Sequence, residues 1–207
     1  MIGILGGTFD PVHYGHLRTA LDVQEALGLE RVHFGPLRHA VHREQPAVPA
    51  ELRAAMLEAA IADHPGFVMD DRELRSSAPS YSLYTLQSFH REMPRQRLCF
   101  LLGMDAFSGF LQWHQPMGIL ELAHLVVMQR PGEELQNQQL QRLVDERRAG
   151  QAQQLRQRQG GYIHFQPVTQ LDISATDIRR RASQGRSPRY LLPDAVATII
   201  ARLQLYR

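Results

Sequence analysis

The chain has 207 residues, 43% of them hydrophobic and 21% charged, which suits one globular domain with a sizeable core. All 23 basic residues are arginine, and the absence of lysine excludes a P-loop and Schiff-base chemistry, each of which needs a lysine amine. The formal net charge is only +2, and the arginines form no stripe interleaved with aromatics, so no nucleic-acid partner is expected.

Short apolar runs alternate with amphipathic stretches along the chain. Residues 2–5 predict a strand that ends in Gly6 and Gly7. Leu17, Ala20, Leu21 and Leu27 predict a helix over 15–27. A second strand is expected over 32–34, before Gly35 and Pro36. Leu52, Met56, Leu57, Ala60 and Ile61 form the stripe of a helix over 51–62. A short strand follows over 67–69, then a helix over 82–89. Strands are expected over 98–102, ended by Gly103, and over 125–128, followed by Arg130, Pro131 and Gly132. Residues 133–160 are rich in Gln, Glu and Arg; they read as surface helices, although QAQQLRQRQGG also suits a loop. A weaker strand over 163–165 precedes closing helices over 174–183 and 194–205. This alternation is that of an α/β fold, a parallel sheet with helices on both faces and a small helical C-terminal part. Residues 1–207 are expected to form a single domain, with 174–207 as its closing segment. In such sheets ligands bind beyond the carboxyl ends of the strands, which singles out residues 6–16, 36–43, 103–114 and Arg130.

No apolar run approaches the roughly 18 residues of a membrane span. The start, MIGILGGTFD, lacks the basic region and cleavage site of a signal peptide. The lone Cys99, in the apolar run LCFLLG, reads as an inert core thiol. A cytoplasmic protein with no membrane partner is expected, and homo-oligomer formation stays open. No Cys/His cluster has zinc spacing, so no metal held by protein side chains is expected.

The first candidate site is the turn from Gly6, Gly7, Thr8 and Phe9 to His13-x-Gly15-His16, between a strand and a helix. Glycine lets the backbone approach a ligand closely, and a helix N-terminus attracts anions. Both histidines can donate to phosphate oxygens, and a bound phosphate favours their cationic form. An isolated H-x-G-H is usually a turn with two surface histidines; the strand-turn-helix context reverses that reading. The glycines do not form G-x-G-x-x-G, so an NAD-dependent oxidoreductase is not indicated. The second site is Ser174, Ala175, Thr176, Asp177, Ile178 and Arg179, where Ser174 can cap a helix and Arg179 lies about one turn inside. By itself it could be an ordinary capped basic helix. Between the two sites, Asp105 follows a strand and can accept ribose hydroxyls. Trp113, beside His114, is either core or a stacking face for a nucleotide ring. His42 and Arg43 could hold a second phosphate or lie in a solvated loop. Ser80, Tyr81 and Ser82 with Thr85 could cap a helix or offer N–H groups to a carboxylate.

These residues resemble the nucleotidylyltransferases, a family defined by H-x-G-H and a later I-S-x-T-x-I-R, and within it the bacterial nicotinate-nucleotide adenylyltransferases. GGTFDPVHYGHL, SYSLYTL, LLGMDAF, WH, RPG and ISATDIR occur in that family's order and cover most of the chain. One departure stands in the loop after the second strand, where the family's Pro-His-Lys is replaced by Val41-His42-Arg43. The resemblance implies a Rossmann-like, doubly wound sheet. It implies joining of ATP, with Mg2+, and nicotinate mononucleotide to give deamido-NAD and pyrophosphate. His13, His16 and Arg179 are then the catalytic group. Gly6, Gly7, Thr8, Phe9, Asp105, Arg130, Ser174 and Thr176 bind ATP. Arg43, Thr85, Trp113 and the His114 backbone bind the pyridine nucleotide. Rival readings are another phosphate acceptor, a nucleotide-binding regulator without turnover, and a fragment of an H-x-G-H aminoacyl-tRNA synthetase, whose second signature needs the missing lysine.

Overall fold

The computed structural model describes residues 1–38, 45–129 and 135–207. Among them a sheet runs through β1 (Ile2–Gly7), β2 (Arg31–Pro36), β3 (Phe67–Met69), β4 (Leu98–Gly103), β5 (His124–Gln129) and β6 (Ile163–Pro167). Every pairing is parallel, in the order β3-β2-β1-β4-β5-β6. This is the doubly wound, Rossmann-like order, and it reverses direction between β1 and β4.

The continuous apolar runs of the central strands follow from burial on both faces. Successive side chains of a strand point to opposite sides. In β4, Leu98, Phe100 and Leu102 enter one core while Cys99 and Leu101 enter the other. The first core is completed by α4 (Ser82–Glu92), α5 (Met104–Ser108), α6 (Pro116–Leu122) and α7 (Gln138–Arg147), through residues such as Phe89, Phe107, Ile119 and Val144. The second is completed by α1 (Tyr14–Leu27), α2 (Ala50–Ile61), α8 (Ala175–Ser183) and α9 (Asp194–Arg202), through Val23, Leu57, Ile178 and Ile200. Cys99 is fully buried, and burial pushes its thiol up to about 12, so it is inert. No helix among the described residues is long and apolar enough to cross a membrane.

The expected strands and long helices are present, with ends shifted by a few residues. The helices α3 (Arg72–Arg75), α5 and α6 were not anticipated, because segments of four, five and seven residues carry too few turns to show a stripe. In the Gln-rich region, Asn137 caps α7 by accepting from Gln139 and Leu140 N–H, and a 3-10 turn covers Ala152–Arg156. The last helix stops at Arg202 rather than 205, where Gln204 and Tyr206 adopt positive φ of 52° and 66° and fold the tail back.

Candidate active site

The crevice opens at the reversal between β1 and β4, and it has two lobes. One lobe, of about 780 Å³, is lined by the β1–α1 turn, including His13, Gly15 and His16, and by Ser174, Thr176 and Arg179 at the start of α8. The other, of about 360 Å³, is lined by Glu73, Ser82, Thr85, Trp113 and His114. They share Gly6, Gly7, Thr8, Phe100, Asp105, Ala106 and Trp113, so a ligand in one meets a ligand in the other over the end of β1.

The β1–α1 turn is built around close approaches. A Cβ on Gly15 would stand 2.9 Å from the His13 ring, too close for a side chain, so glycine lets that ring lie over the turn, while the Ile173 carbonyl of the second motif lies at an ordinary 3.5 Å. A Cβ on Gly6 would meet nothing within 4 Å and would enter the crevice instead. Phe9 takes a positive φ of 48°, which a side chain rarely adopts; burying its ring against Phe34 and the edge of His16 offsets that strain. Phe9 therefore supports His16 from beneath the turn.

His13 and His16 lie with ring centroids 3.8 Å apart. His13 N–H donates to His16 Nδ1 at 3.3 Å, so the neutral His16 ring carries its proton on Nε2 and keeps a donor for an anion. Burial lowers the His13 pKa to about 4, and burial together with His13 pushes His16 well below its ordinary value. Both rings are neutral at pH 7 in the free protein, and an arriving phosphate would reverse the balance by supplying the opposite charge. His13 thus contributes stability that is complete above the unfolded-state value near 6.5 and lost as pH falls toward about 4. Melting temperature is expected to drop less between pH 7 and pH 5 in His13→Gln than in the wild type. Parallel losses in the two proteins would show that His13 is not the group being protonated.

In the second motif, Ser174 accepts Asp177 N–H at 3.1 Å and caps α8. Asp177 is tied in turn to Arg180 and Arg181, which leaves Arg179 to face the crevice. Arg179 Nη1 donates to the Asp10 carbonyl at 2.8 Å and Nη2 to Thr176 Oγ1 at 3.3 Å. That bond from Arg179 to Asp10, residues 169 apart in sequence, ties the two motifs together at the larger lobe.

In the smaller lobe, Trp113 is half-buried, edge-on to Phe100 and Phe110, and it lines the cavity. His114 stacks on Tyr81 at 4.5 Å. Asp105, in the first turn of α5, is exposed at the junction of the lobes. Thr85 is buried, and its hydroxyl donates to Glu73 Oε1 at 2.6 Å. In this state its proton is committed, and the cavity is offered Ser82 at the start of α4 instead. Arg43 and Arg130 lie outside the described residues, as does His42.

The molecule belongs with known proteins on three counts. A cytidylyltransferase-like family profile matches residues 4–181. The chain belongs to the cytidylyltransferase-like family. Within it, a Methylococcus capsulatus protein named probable nicotinate-nucleotide adenylyltransferase is 46% identical over 208 residues, covering 100% of this chain and 99% of that one. A Pseudomonas syringae protein of the same name is 44% identical over 207 residues, covering 100% of this chain and 93% of that one. The fold matches the Plasmodium falciparum nicotinic acid mononucleotide adenylyltransferase complexed with NaAD with a TM-score of 0.74 at 16% identity, over 99% of this chain and 96% of that one.

Several residues that hold this cytidylyltransferase-like site together carry no motif. Arg53 is 1% exposed and donates to the carbonyls of Thr8 and Leu37, each at 2.6 Å, and of Val48 at 3.3 Å. Its signal was an arginine in phase with Met56 and Leu57, where the α2 stripe calls for an apolar residue. Glu73 is a second case; burial raises its pKa against the pull of Thr85 and Ser80. A third is the floor of the small lobe. Arg72 forks onto both Asp70 oxygens, at 2.7 and 2.8 Å, and lies 3.4 Å over the Phe89 ring. Burial would raise the Asp70 pKa, but His33 and Arg72 hold it well below the usual carboxylate range.

Proposed function

We propose that this protein is a nicotinate-nucleotide adenylyltransferase of NAD biosynthesis, which joins nicotinate mononucleotide and the AMP half of ATP to give deamido-NAD and pyrophosphate. The observation that carries the reading is the two-lobed crevice. Both phosphate-binding motifs line one lobe, an aromatic, polar-floored cavity forms the other, and the two meet over Gly6, Gly7 and Thr8. The names of the full-length relatives support the same activity.

ATP occupies the larger lobe, with Gly6, Gly7, Thr8, Ser174 and Thr176 along its phosphates and Asp105 on a ribose hydroxyl. The pyridine nucleotide occupies the smaller lobe, with Trp113 on the ring and His114, Thr85 and the start of α4 near its carboxylate. A 5′-phosphate oxygen attacks the α-phosphorus in line. One P–O bond forms there as the bond to the bridging oxygen breaks, and pyrophosphate departs. The nucleophile is already an anion, so no strong base is required, and the protein's task is positioning and neutralisation of charge. His13, His16 and Arg179 perform that task. Mg2+ would enter bound to the triphosphate of ATP. It would supply further neutralisation of charge on the leaving pyrophosphate.

The test is pyrophosphate release with ATP and each of nicotinate mononucleotide, nicotinamide mononucleotide and phosphopantetheine. Fastest turnover with the first is expected. Preference for another acceptor would move the reading to that substrate, and no product with any of them would favour a binding regulator. Trp113→Ala is expected to raise KM for the pyridine nucleotide about tenfold, the order of one lost stacking contact. A change in ATP affinity alone would mean that the ring stacks elsewhere.

A further inference from the structure

The C-terminal residues reach the catalytic turn, although no motif includes them. Asp10 lies in the β1–α1 turn and is 4% exposed. Its Oδ1 accepts the Tyr206 hydroxyl at 2.7 Å, its Oδ2 accepts Ala47 N–H at 2.7 Å, and its carbonyl accepts Arg179 at 2.8 Å. One buried residue therefore connects the tail, the segment before α2 and the arginine of the second motif. The tail is bent to make this contact. Gln204 and Tyr206 both take positive φ, and Leu205 N–H bonds back to the Ile200 carbonyl. The left-handed Gln204 and that Leu205 bond are the C-terminal cap of α9, and the cap turns the tail back toward the β1–α1 turn.

We propose that Tyr206 is a positioning residue for adenylyl transfer: its hydroxyl fixes the Asp10 carboxylate, and through Asp10 it sets the place of Arg179 and of the turn carrying His13. This rests on the function proposed above. Tyr206 lines neither lobe, and its hydroxyl's hydrogen-bond partner is Asp10. Burial, followed by the bond to Asp10, pushes its pKa up, so the phenol remains a neutral donor across the working pH range.

Small displacements of catalytic groups cost rate more than affinity. Tyr206→Phe removes one oxygen and is expected to lower kcat about tenfold, with KM for the pyridine nucleotide within twofold of wild type. Ile200→Val is the comparator: it loosens the packing of the same C-terminal helix and leaves the hydroxyl in place. At temperatures well below both melting points, it should keep wild-type kcat. Equal kcat losses in the two variants would reduce Tyr206 to a packing residue and overturn the proposal, as would a Tyr206→Phe enzyme with unchanged kcat. The route through Asp10 is tested by combining Tyr206→Phe with Arg179→Lys. A penalty smaller in that background than in wild type is expected, and strictly multiplicative effects would overturn it. A wild-type chain without turnover would sink the proposed function and this role with it, whereas an active wild type with an indifferent Tyr206→Phe would remove this role alone.

Discussion

His16→Ala is expected to lower kcat by about 10²–10³-fold, the usual loss for one donor aimed at transition-state charge, while KM for ATP changes by less than about threefold. The reason lies in where the proton sits. His16 Nδ1 is occupied by the His13 backbone N–H, so the neutral ring carries its hydrogen on Nε2, and His16 lines the larger lobe. On the proposed function, ground-state ATP is also held by the glycine turn and by the start of α8, which the substitution leaves in place. The charge that develops as pyrophosphate leaves has fewer alternatives. His16→Gln places a neutral donor at a similar reach and should recover part of the rate. Steady-state kinetics at saturating substrates measure both parameters, and unchanged turnover in His16→Ala would remove this residue from the catalytic group.

Arg53→Met should produce the largest loss of stability, on the order of 3 kcal/mol, since hydrogen bonds to a charged donor contribute roughly 1.5–3 kcal/mol and their orphaned partners remain buried. For a chain of this size that corresponds to roughly 10 °C in melting temperature. Methionine keeps much of the volume, so the loss reports the donors rather than a cavity. The abandoned acceptors are the carbonyls of Thr8, Leu37 and Val48. Asp10 would also lose a nearby positive charge, since Arg53 and Asp10 interact electrostatically. Because Thr8 lies at the junction of the lobes, turnover should fall with stability. Arg53→Lys, with one ammonium in place of a fork, should recover only a fraction. A melting point within about 2 °C of wild type in Arg53→Met would show that those carbonyls find other donors.

Arg53 also marks the limit of reading by pattern. The α2 stripe was legible because helical periodicity is local, yet nothing in the stripe says that its one arginine reaches acceptors 16 and 45 residues away. Thr85 gives a related lesson. Its place at the small lobe was legible from its neighbours, but its hydroxyl donates to Glu73, twelve residues earlier and on a helix too short to be anticipated. The short helices α3, α5 and α6 escaped for the same reason, and they supply Glu73, Asp105 and Ile119 to the small lobe.

By itself the sequence determined the strands, the long helices and the two candidate site motifs, because each depends on contacts within a few residues: apolar periodicity, a glycine turn, a Ser174 cap. The strand order, the meeting of His16 with Arg179, and the network around Asp10 were decided only by the tertiary structure. Those depend on which distant backbone carbonyls and carboxylates remain buried and need a donor, and local pattern carries no record of them. His13-x-Gly15-His16, set between a strand and a helix, thus marks a candidate anion site, while Arg179, Arg53 and Tyr206 hydrogen-bond to the turn that carries it.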